Sequence, residues 1–481
     1  MIRKVLIANR GEIAIRVART LKEMGIKTLG IFTKNDENWP FVYVVDEAYP
    51  VSGYLNIDEI VEVAVRAGCD AVHPGYGFLS ENPRFAEAVI SAGLIFIGPS
   101  PLSMELVGDK AKAKEIAKRV GVPVVPGLPP SEDPKEIYEG ILKIGFPVLL
   151  KAVGGGGGKG MKLVRNGENA MEVILSAQRE AFEAFGDGRL IAEKFVFPVR
   201  HVEVQIMGDK FGNVYALGER ECSLQRRHQK IVEESPSVGI TEEIREKLFD
   251  YAVRIGKEVN YENAGTCEFL VSESGEVYFL EVNARLQVEH PVTEMVTGLD
   301  LVRLQVEVAE GKRLDLGGIH RRGHSIEVRI YAEDPESGFL PSSGKILALE
   351  FPHIPGIRVD AGVVEGTEIT PFYDPMIAKM ISYAPDREQA RRKLVSALKE
   401  TLLIGPNTNQ HFLIYLLESP DFIYGKTYTH TVEEILRRYK EEKFELPKDI
   451  ENFVRNYREM ERGRVEGEIE LWRKIPPKVY P

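Results

Sequence analysis

A lysine followed by a run of glycines is the first feature of this sequence suited to a ligand. The chain reads Val148-Leu149-Leu150-Lys151-Ala152-Val153, then five glycines from Gly154 to Gly158, then Lys159-Gly160-Met161. Consecutive glycines remove every side chain and maximise backbone freedom. Such a loop can fold over a polyanion and offer it bare N–H groups. Lys151, at the end of an apolar strand, is a point charge suited to a phosphate. A flexible surface connection is the competing reading of the glycines alone. The run is not a phosphate loop of the Gly-Lys-Ser/Thr kind, because Gly160 stands where the hydroxyl is needed. Any Mg²⁺ has to be held elsewhere.

A hairpin further on supplies candidates. Thr266 to Val271 and Val277 to Asn283 are apolar, strand-like runs flanking Ser272-Glu273-Ser274-Gly275-Glu276. If Ser274-Gly275 is a two-residue turn, Glu268 faces Glu281 and Thr266 faces Asn283. Side chains alternate along a strand, so Glu281 and Asn283 share a face. Opposed glutamates repel. A divalent cation would remove that penalty, and Mg²⁺ takes carboxylate oxygens together with substrate phosphates. Two glutamates on a solvated sheet face are the alternative.

Two charged clusters complete the set. Arg226-Arg227-His228-Gln229-Lys230 concentrates cations, although a solvated charged strand would read the same way. Arg285-Leu286-Gln287-Val288-Glu289-His290 alternates, so Arg285, Gln287 and Glu289 can share one face. An Arg beside a Glu can bind a small oxyanion and take a proton from it, or can simply form a salt bridge. Lysine, glycine loop, basic strand, metal-like hairpin and Arg/Glu segment occur in order between Lys110 and Glu289. Together they suit phosphoryl transfer from a nucleotide to an oxyanion, where catalysis is mostly positioning and charge neutralisation.

The elements that must position these residues follow from the rest of the chain. Its 481 residues suggest about three domains. Hydrophobic residues at 43% and charged residues at 28% exclude a disordered or fibrous chain. No apolar run is long enough to span a bilayer, and the N-terminus turns polar at Asn9-Arg10 before a signal core could form. Cys69, Cys222 and Cys267 are too few and scattered for a disulfide framework, so a reduced, cytoplasmic protein is expected. A net charge of −11 argues against general nucleic-acid binding. The N-terminal stretch alternates strands (Val5 to Ala8, Thr28 to Phe32, Ala71-Val72, Leu94 to Ile97) with helices. One helix carries Ile13, Val17, Leu21 and Met24 at helical spacing, one is capped by Asn56, and one spans Glu81 to Ala92. That is a parallel sheet of βαβ units without a Gly-x-Gly-x-x-Gly dinucleotide signature. A Lys-rich helix, Lys110 to Arg119, precedes a Pro/Gly linker at Gly121 to Pro130. Mixed strands and helices continue to about Gly311, short strands run from Ser325 to Tyr383, and helices follow Asp386. Ile450, Phe453, Val454, Tyr457 and Met460 in the charged tail are spaced for an amphipathic helix.

These residues match a known family. The chain resembles biotin carboxylase, an ATP-grasp enzyme that performs the first step of biotin-dependent carboxylation. The matching text is Ile7-Ala8-Asn9-Arg10-Gly11-Glu12-Ile13-Ala14, His73 to Asn82, Gly108-Asp109-Lys110, the glycine run, Gln225 to Lys230, Gln287 to Glu294, and Glu327 to Asp334. It extends from residue 2 to about residue 438. The resemblance implies a Rossmann-like N-terminal domain (1–113) and an ATP-grasp domain with a glycine-rich lid (114–311). An α+β C-terminal domain (312–445) and a helical tail (446–481) follow. The overall class is α/β and α+β.

The resemblance also implies roles. Lys110 and Lys151 would hold ATP phosphates under a lid at Gly157 and Gly158. Glu193, Lys194 and Val196 would meet adenine, with His201, Gln225 and His228 nearby. Glu268, Glu281 and Asn283 would bind Mg²⁺ or Mn²⁺, with two ions expected. Lys230, Arg285 and the Val288 backbone would bind bicarbonate, Glu289 would deprotonate it, and Arg329 would steady the enolate oxygen of biotin's ureido group. Bicarbonate would attack the γ-phosphorus to give carboxyphosphate, whose CO₂ is captured by the ureido nitrogen while phosphate takes its proton. A dry site protects that intermediate from water.

Departures from the family pattern matter as well. Phe41-Val42-Tyr43 occupies a stretch where the family often has a His. The Ala-Met-Lys-Met segment to which biotin is attached is missing, and the only Met-Lys, Met161-Lys162, lies in the lid. The biotin is therefore expected on another polypeptide, either a biotinylated carboxyltransferase subunit or a biotin carboxyl carrier protein. The resemblance further implies a homodimer. Acetyl-CoA, propionyl-CoA, pyruvate and 2-oxoglutarate systems all use such a component, so the final acceptor stays open. The rival readings are another ATP-grasp ligase acting through an acylphosphate, and a nucleotide-binding subunit without chemistry. The filled catalytic positions count against the latter.

Overall fold

The computed structural model describes residues 1–153, 160–227 and 229–442, and the backbone of Lys478–Val479. The expected helix bearing Ile450, Phe453, Val454, Tyr457 and Met460 lies outside the described residues. No described helix is long and apolar enough to cross a membrane.

The N-terminal region is a parallel sheet of β1 (Lys4–Ile7), β2 (Lys27–Phe32), β3 (Glu47–Pro50), β4 (Ala71–His73) and β5 (Ile95–Phe96). Their order is β3-β2-β1-β4-β5, and Lys478–Val479 lies beside β3. Helices α1 (Gly11–Glu23), α2 (Ile57–Arg66) and α3 (Pro83–Ser91) connect them. The apolar spacing does what it implies: Ile13, Val17 and Leu21 are buried, and Gly25, at φ 75°, ends the turn beyond α1. The Asn56 side chain caps α2 by accepting from the Glu59 N–H. The helix expected over Glu81 to Ala92 starts later, at Pro83, because Asn82 caps it through the Arg84 and Phe85 N–H groups.

Asp109 caps α4 (Lys110–Arg119) by accepting from Ala111 and Lys112. This sets Lys110 on the first turn. Next comes a small antiparallel sheet, β7-β6-β8, from β6 (Val148–Ala152), β7 (Met161–Val164) and β8 (Leu190–Lys194). It carries α5 (Pro134–Ile144) and α6 (Ala170–Phe185) around a core that includes Ile137, Ile141, Val148, Leu150 and Ile174.

The site rests on a larger antiparallel sheet. Its strands are β9 (Val199–Gly208), β10 (Val214–Arg226), β11 (Gln229–Ser235), β12 (Asn263–Ser272), β13 (Val277–Asn283), β14 (His324–Tyr331), β15 (Ile357–Ala361) and β16 (Met376–Ala384). They lie in the order β13-β12-β9-β10-β11-β14-β16-β15, so the sheet runs across residue 311 without interruption. All ten residues of β9 are buried. One of its faces sends Val202, Val204 and Ile206 into the core with Leu248, Ala252 and Ile255 of α7 (Glu242–Glu258). The alternation puts His201, Glu203 and Gln205 on the other face. There α8 (His290–Thr297) packs against β10, β11 and β14.

The start of α1 and the end of β15 meet at a tight backbone contact. A Cβ on Gly362, just after β15, would lie 2.7 Å from the Glu12 backbone nitrogen at the start of α1. Replacing Gly362 by Ala is therefore expected to cost about 1–3 kcal/mol, read as a lower urea midpoint with an unchanged slope.

Candidate active site

The polar face of the large sheet is an alternation of buried charges. Lys230, near the start of β11, is 11% exposed; its Nζ lies 2.5 Å from Glu203, 3.0 Å from Glu268 and 2.7 Å from Glu289. Arg329, on β14, donates from Nε to Glu233 at 2.6 Å and from Nη2 to Glu289 at 3.0 Å. Arg220, fully buried, pairs with Glu203 and donates to Gln205 at 2.7 Å, Thr293 at 3.0 Å and Thr266 at 3.1 Å. Burial alone would raise the carboxyl of Glu289, but Lys230, Arg329 and Arg220 hold it well below the usual carboxylate range. It is an ionised acceptor. Burial likewise opposes ionisation of Glu268, which Lys230 and His201 outweigh. Burial would deprotonate Lys230, but the carboxylates around it raise its pKa well above the ordinary lysine value.

A cavity of about 1050 Å³ opens onto this face. Among its lining residues are Lys110, His201, Gln225, Lys230, Glu268 and Glu281, together with Asn283, Arg285, Gln287, Val288 and Arg329. Glu289 lies behind Lys230 and Arg329 with no exposed surface. The structure thus brings most of the expected site residues to one place. Gly157, Gly158 and His228 lie outside the described residues.

The hairpin pairs Glu268 with Glu281 and Thr266 with Asn283, but not through the expected turn. Ser272 pairs with Glu276 across Glu273-Ser274-Gly275, with Gly275 at φ 86°. A bulge then leaves Leu280 without a partner in register between Glu268 and Phe269. The longer turn and the bulge offset each other, which restores the expected pairing. The Asn283 amide donates to Glu268 at 2.9 Å, and Lys110 Nζ lies 2.8 Å from Glu281. Two carboxylates and an amide oxygen form a hard donor set that fits Mg²⁺ or Mn²⁺. His201, Glu203 and Glu268 also bring one ligand atom each within 4.8 Å of one another.

The nucleotide candidates lie on the small sheet and beside it. Glu193 is bound by Lys151 and by Lys114, the latter at 2.6 Å. The Lys194 ammonium donates to the carbonyls of Gly145 at 3.0 Å and Phe146 at 2.7 Å, so it braces the frame. Val196 is half-buried on the link to β9. The Gln225 amide meets His201 Nδ1 at 2.9 Å, and His201 Nε2 lies 3.0 Å from Glu268.

One expectation fails. Residues 285–290 are not an alternating strand with Arg285, Gln287 and Glu289 on one face. Gln287 to His290 is a turn, closed by the His290 N–H on the Gln287 carbonyl, that enters α8. Arg285 reaches Glu81 at 2.9 Å and Gln287 at 3.1 Å, while Glu289 pairs with Lys230 and Arg329 instead.

Sequence reasoning also missed Glu203, Arg220, Glu233 and Lys379. Glu203 follows His201 by two residues on β9, a period-two signal that would have found it. Arg220 sits in Gly218-Glu219-Arg220-Glu221, which reads as a solvated strand although it is buried.

Beneath the Val288 turn, fully buried Lys379 donates to the Val288 carbonyl at 2.9 Å and lies 3.4 Å from Glu12. Burial pushes the Glu12 carboxyl up from 4.5 to about 7 against the attraction of Lys379. The folded protein therefore holds a proton that the unfolded chain releases. That contribution to stability is full below pH 4.5 and lost as pH rises through about 7. Glu12→Gln should remove this fall, leaving the variant more stable than the parent at pH 8 by up to ~3 kcal/mol in urea titrations.

The comparisons with known proteins agree with this geometry. Residues 1–104 match the family model "Biotin carboxylase, N-terminal domain", residues 109–316 "Carbamoyl-phosphate synthase L chain, ATP binding domain", and residues 327–434 "Biotin carboxylase C-terminal domain". The 2-oxoglutarate carboxylase small subunit of Hydrogenobacter thermophilus is 47% identical over 445 residues, covering 90% of this chain and 94% of that one. The biotin carboxylase of a Nostoc species is 46% identical over 441 residues, covering 90% of this chain and 99% of that one. A crystal structure of the biotin carboxylase domain dimer of the H. thermophilus 2-oxoglutarate carboxylase, in complex with MgADP, ADP and bicarbonate, superposes with a TM-score of 0.83. It is 46% identical and covers 91% of this chain and 99% of its own. Three matching domain models in sequence, relatives of nearly equal length and a shared fold assign this chain to the biotin carboxylase family.

Proposed function

We propose that this chain uses ATP and bicarbonate to carboxylate biotin borne on a separate protein. That protein would be a biotin carboxyl carrier protein or a biotinylated carboxyltransferase subunit. The single observation that carries the reading is Glu289, an ionised carboxylate held directly behind Lys230 and Arg329, which line the cavity. A base beside an oxyanion site has a task only if the oxyanion brings a proton. Bicarbonate does; the ionised carboxylate substrate of an acylphosphate-forming ligase does not. This favours carboxyphosphate over the rival ligase chemistry.

The residues divide the work by charge. Lys230, Arg285 and the Val288 backbone bind bicarbonate, and Glu289 takes its proton as an oxygen attacks the γ-phosphorus. Lys110 and Lys151 neutralise the phosphates. Glu193, Lys194 and Val196 frame adenine, with His201 and Gln225 beside the nucleotide. Glu268, Glu281 and Asn283 hold Mg²⁺ or Mn²⁺, which supplies charge neutralisation at the phosphates. Carboxyphosphate then breaks into CO₂ and phosphate. Arg329 stabilises the negative charge on the ureido oxygen as phosphate takes the N–H proton and the nitrogen bonds to CO₂. Glu203 and Glu233 keep Lys230 and Arg329 oriented throughout.

The test is ADP release by the purified chain with MgATP and bicarbonate, with and without free biotin. Biotin-stimulated, bicarbonate-dependent release is expected, and chelation of the metal should abolish it. Glu289→Gln should lower the rate by about 10²- to 10⁴-fold while MgADP still binds, which shows that the fold survives. Release that ignores bicarbonate, or a Glu289→Gln variant that binds MgADP and retains full activity, would sink the proposal.

A further inference from the structure

Glu193 carries two lysines where one would neutralise it. Lys151, from β6, takes one carboxylate oxygen, and Lys114, from α4, takes the other at 2.6 Å. The two lysines come from separate elements. On the small sheet, β6 and β8 are paired with Lys151 opposite Ile191 and Leu149 opposite Glu193, so Lys151 and Glu193 stand diagonally on one face. Across from them lies α4. Its Lys110 and Lys114 are one turn apart on the same side of the helix. Lys110 reaches Glu281 on the large sheet, and Lys114 reaches Glu193 on the small one. The helix therefore lays one cation against a carboxylate of each sheet.

We propose that Lys114 is a positioning residue that keeps Glu193 paired when Lys151 leaves it for the nucleotide phosphates. This rests on the nucleotide site described above. The Lys151 ammonium has three N–H donors, but a phosphate that draws it away from β8 weakens its hold on Glu193. Glu193 is only 14% exposed in its side chain, so releasing Lys151 would strand a poorly solvated carboxylate. Burial would push the Glu193 carboxyl up, yet the two lysines hold it below its ordinary range, so it stays charged. With Lys114 in place the transfer of Lys151 leaves that charge compensated. Without Lys114, Lys151 is the one ion-pair partner left to Glu193 among the described residues, and the nucleotide must win it from a full ion pair. Lys114 itself is 31% exposed, so its replacement leaves no buried gap.

Calorimetric titration of the full chain with MgADP decides the matter. Lys114→Met should weaken MgADP about five- to tenfold, while KM for bicarbonate and kcat at saturating ATP stay at the parent values. Lys114→Arg should restore affinity to within about twofold. In a Glu193→Gln background, Lys114→Met should have no further effect, because no carboxylate is left to strand. Unchanged affinity in Lys114→Met overturns the proposal. So does an equal loss in the Glu193→Gln background, which would mean that Lys114 acts on the nucleotide directly. A parent chain that binds no MgADP would instead defeat the nucleotide-site reading, and this proposal with it.

Discussion

Glu203, Glu268 and Glu289 are almost fully buried, and one ammonium group touches all three. No arrangement of the surrounding backbone makes sense without that contact. An uncompensated carboxylate in such a place costs several kcal/mol, and three of them around a point would expel one another. Lys230 alone does not balance the charge, so Arg220 and Arg329 close the set from either side, with Glu233 steadying Arg329. The strands that carry these groups are β9, β10, β11, β12 and β14, and α8 covers them. Each is held in register partly because a slip of one residue would turn a charged side chain into an apolar core.

The site was legible in the sequence to the extent that its chemistry is local. The hairpin pairing could be found by counting, and the count succeeded because a longer turn and a bulge at Leu280 have opposite effects on register. The cap at Asn56 and the apolar stripe of α1 were also local signals. Arg285 and Glu289 were misplaced because a short polar stretch carries no sign of whether it is strand or turn. Pro291 and the helical run after it were the available hint. Glu203 and Arg220 were hidden for a different reason. A charged residue in a buried strand looks like one on a wet surface until its partners, which are distant in sequence, are known.

Every cation proposed to act on substrate already has a carboxylate for company. Lys110 rests on Glu281, Lys151 on Glu193, and Lys230 on the three buried glutamates. The substrates carry the same sign as those carboxylates. Binding can therefore proceed by exchange of anions around cations that stay close to where they began, with little reorganisation of charge. Such prearranged groups act more strongly than ones that must be assembled during the reaction.

The continuous large sheet bears on how this chain can be divided. Val232, Glu233, Glu234 and Ser235 of β11 pair with Val328, Glu327, Ile326 and Ser325 of β14. A fragment ending near residue 311 would present β11 as an open edge, with its hydrogen-bonding groups bare and Arg329 gone from its charge set. Recombination between relatives faces the same seam. A hybrid joined between the helix Leu301–Ala309 and β14 inherits Glu289 from one parent and Arg329 from the other. Compatibility of the two parents is then decided by the stitching of two strands and by one guanidinium reaching across them.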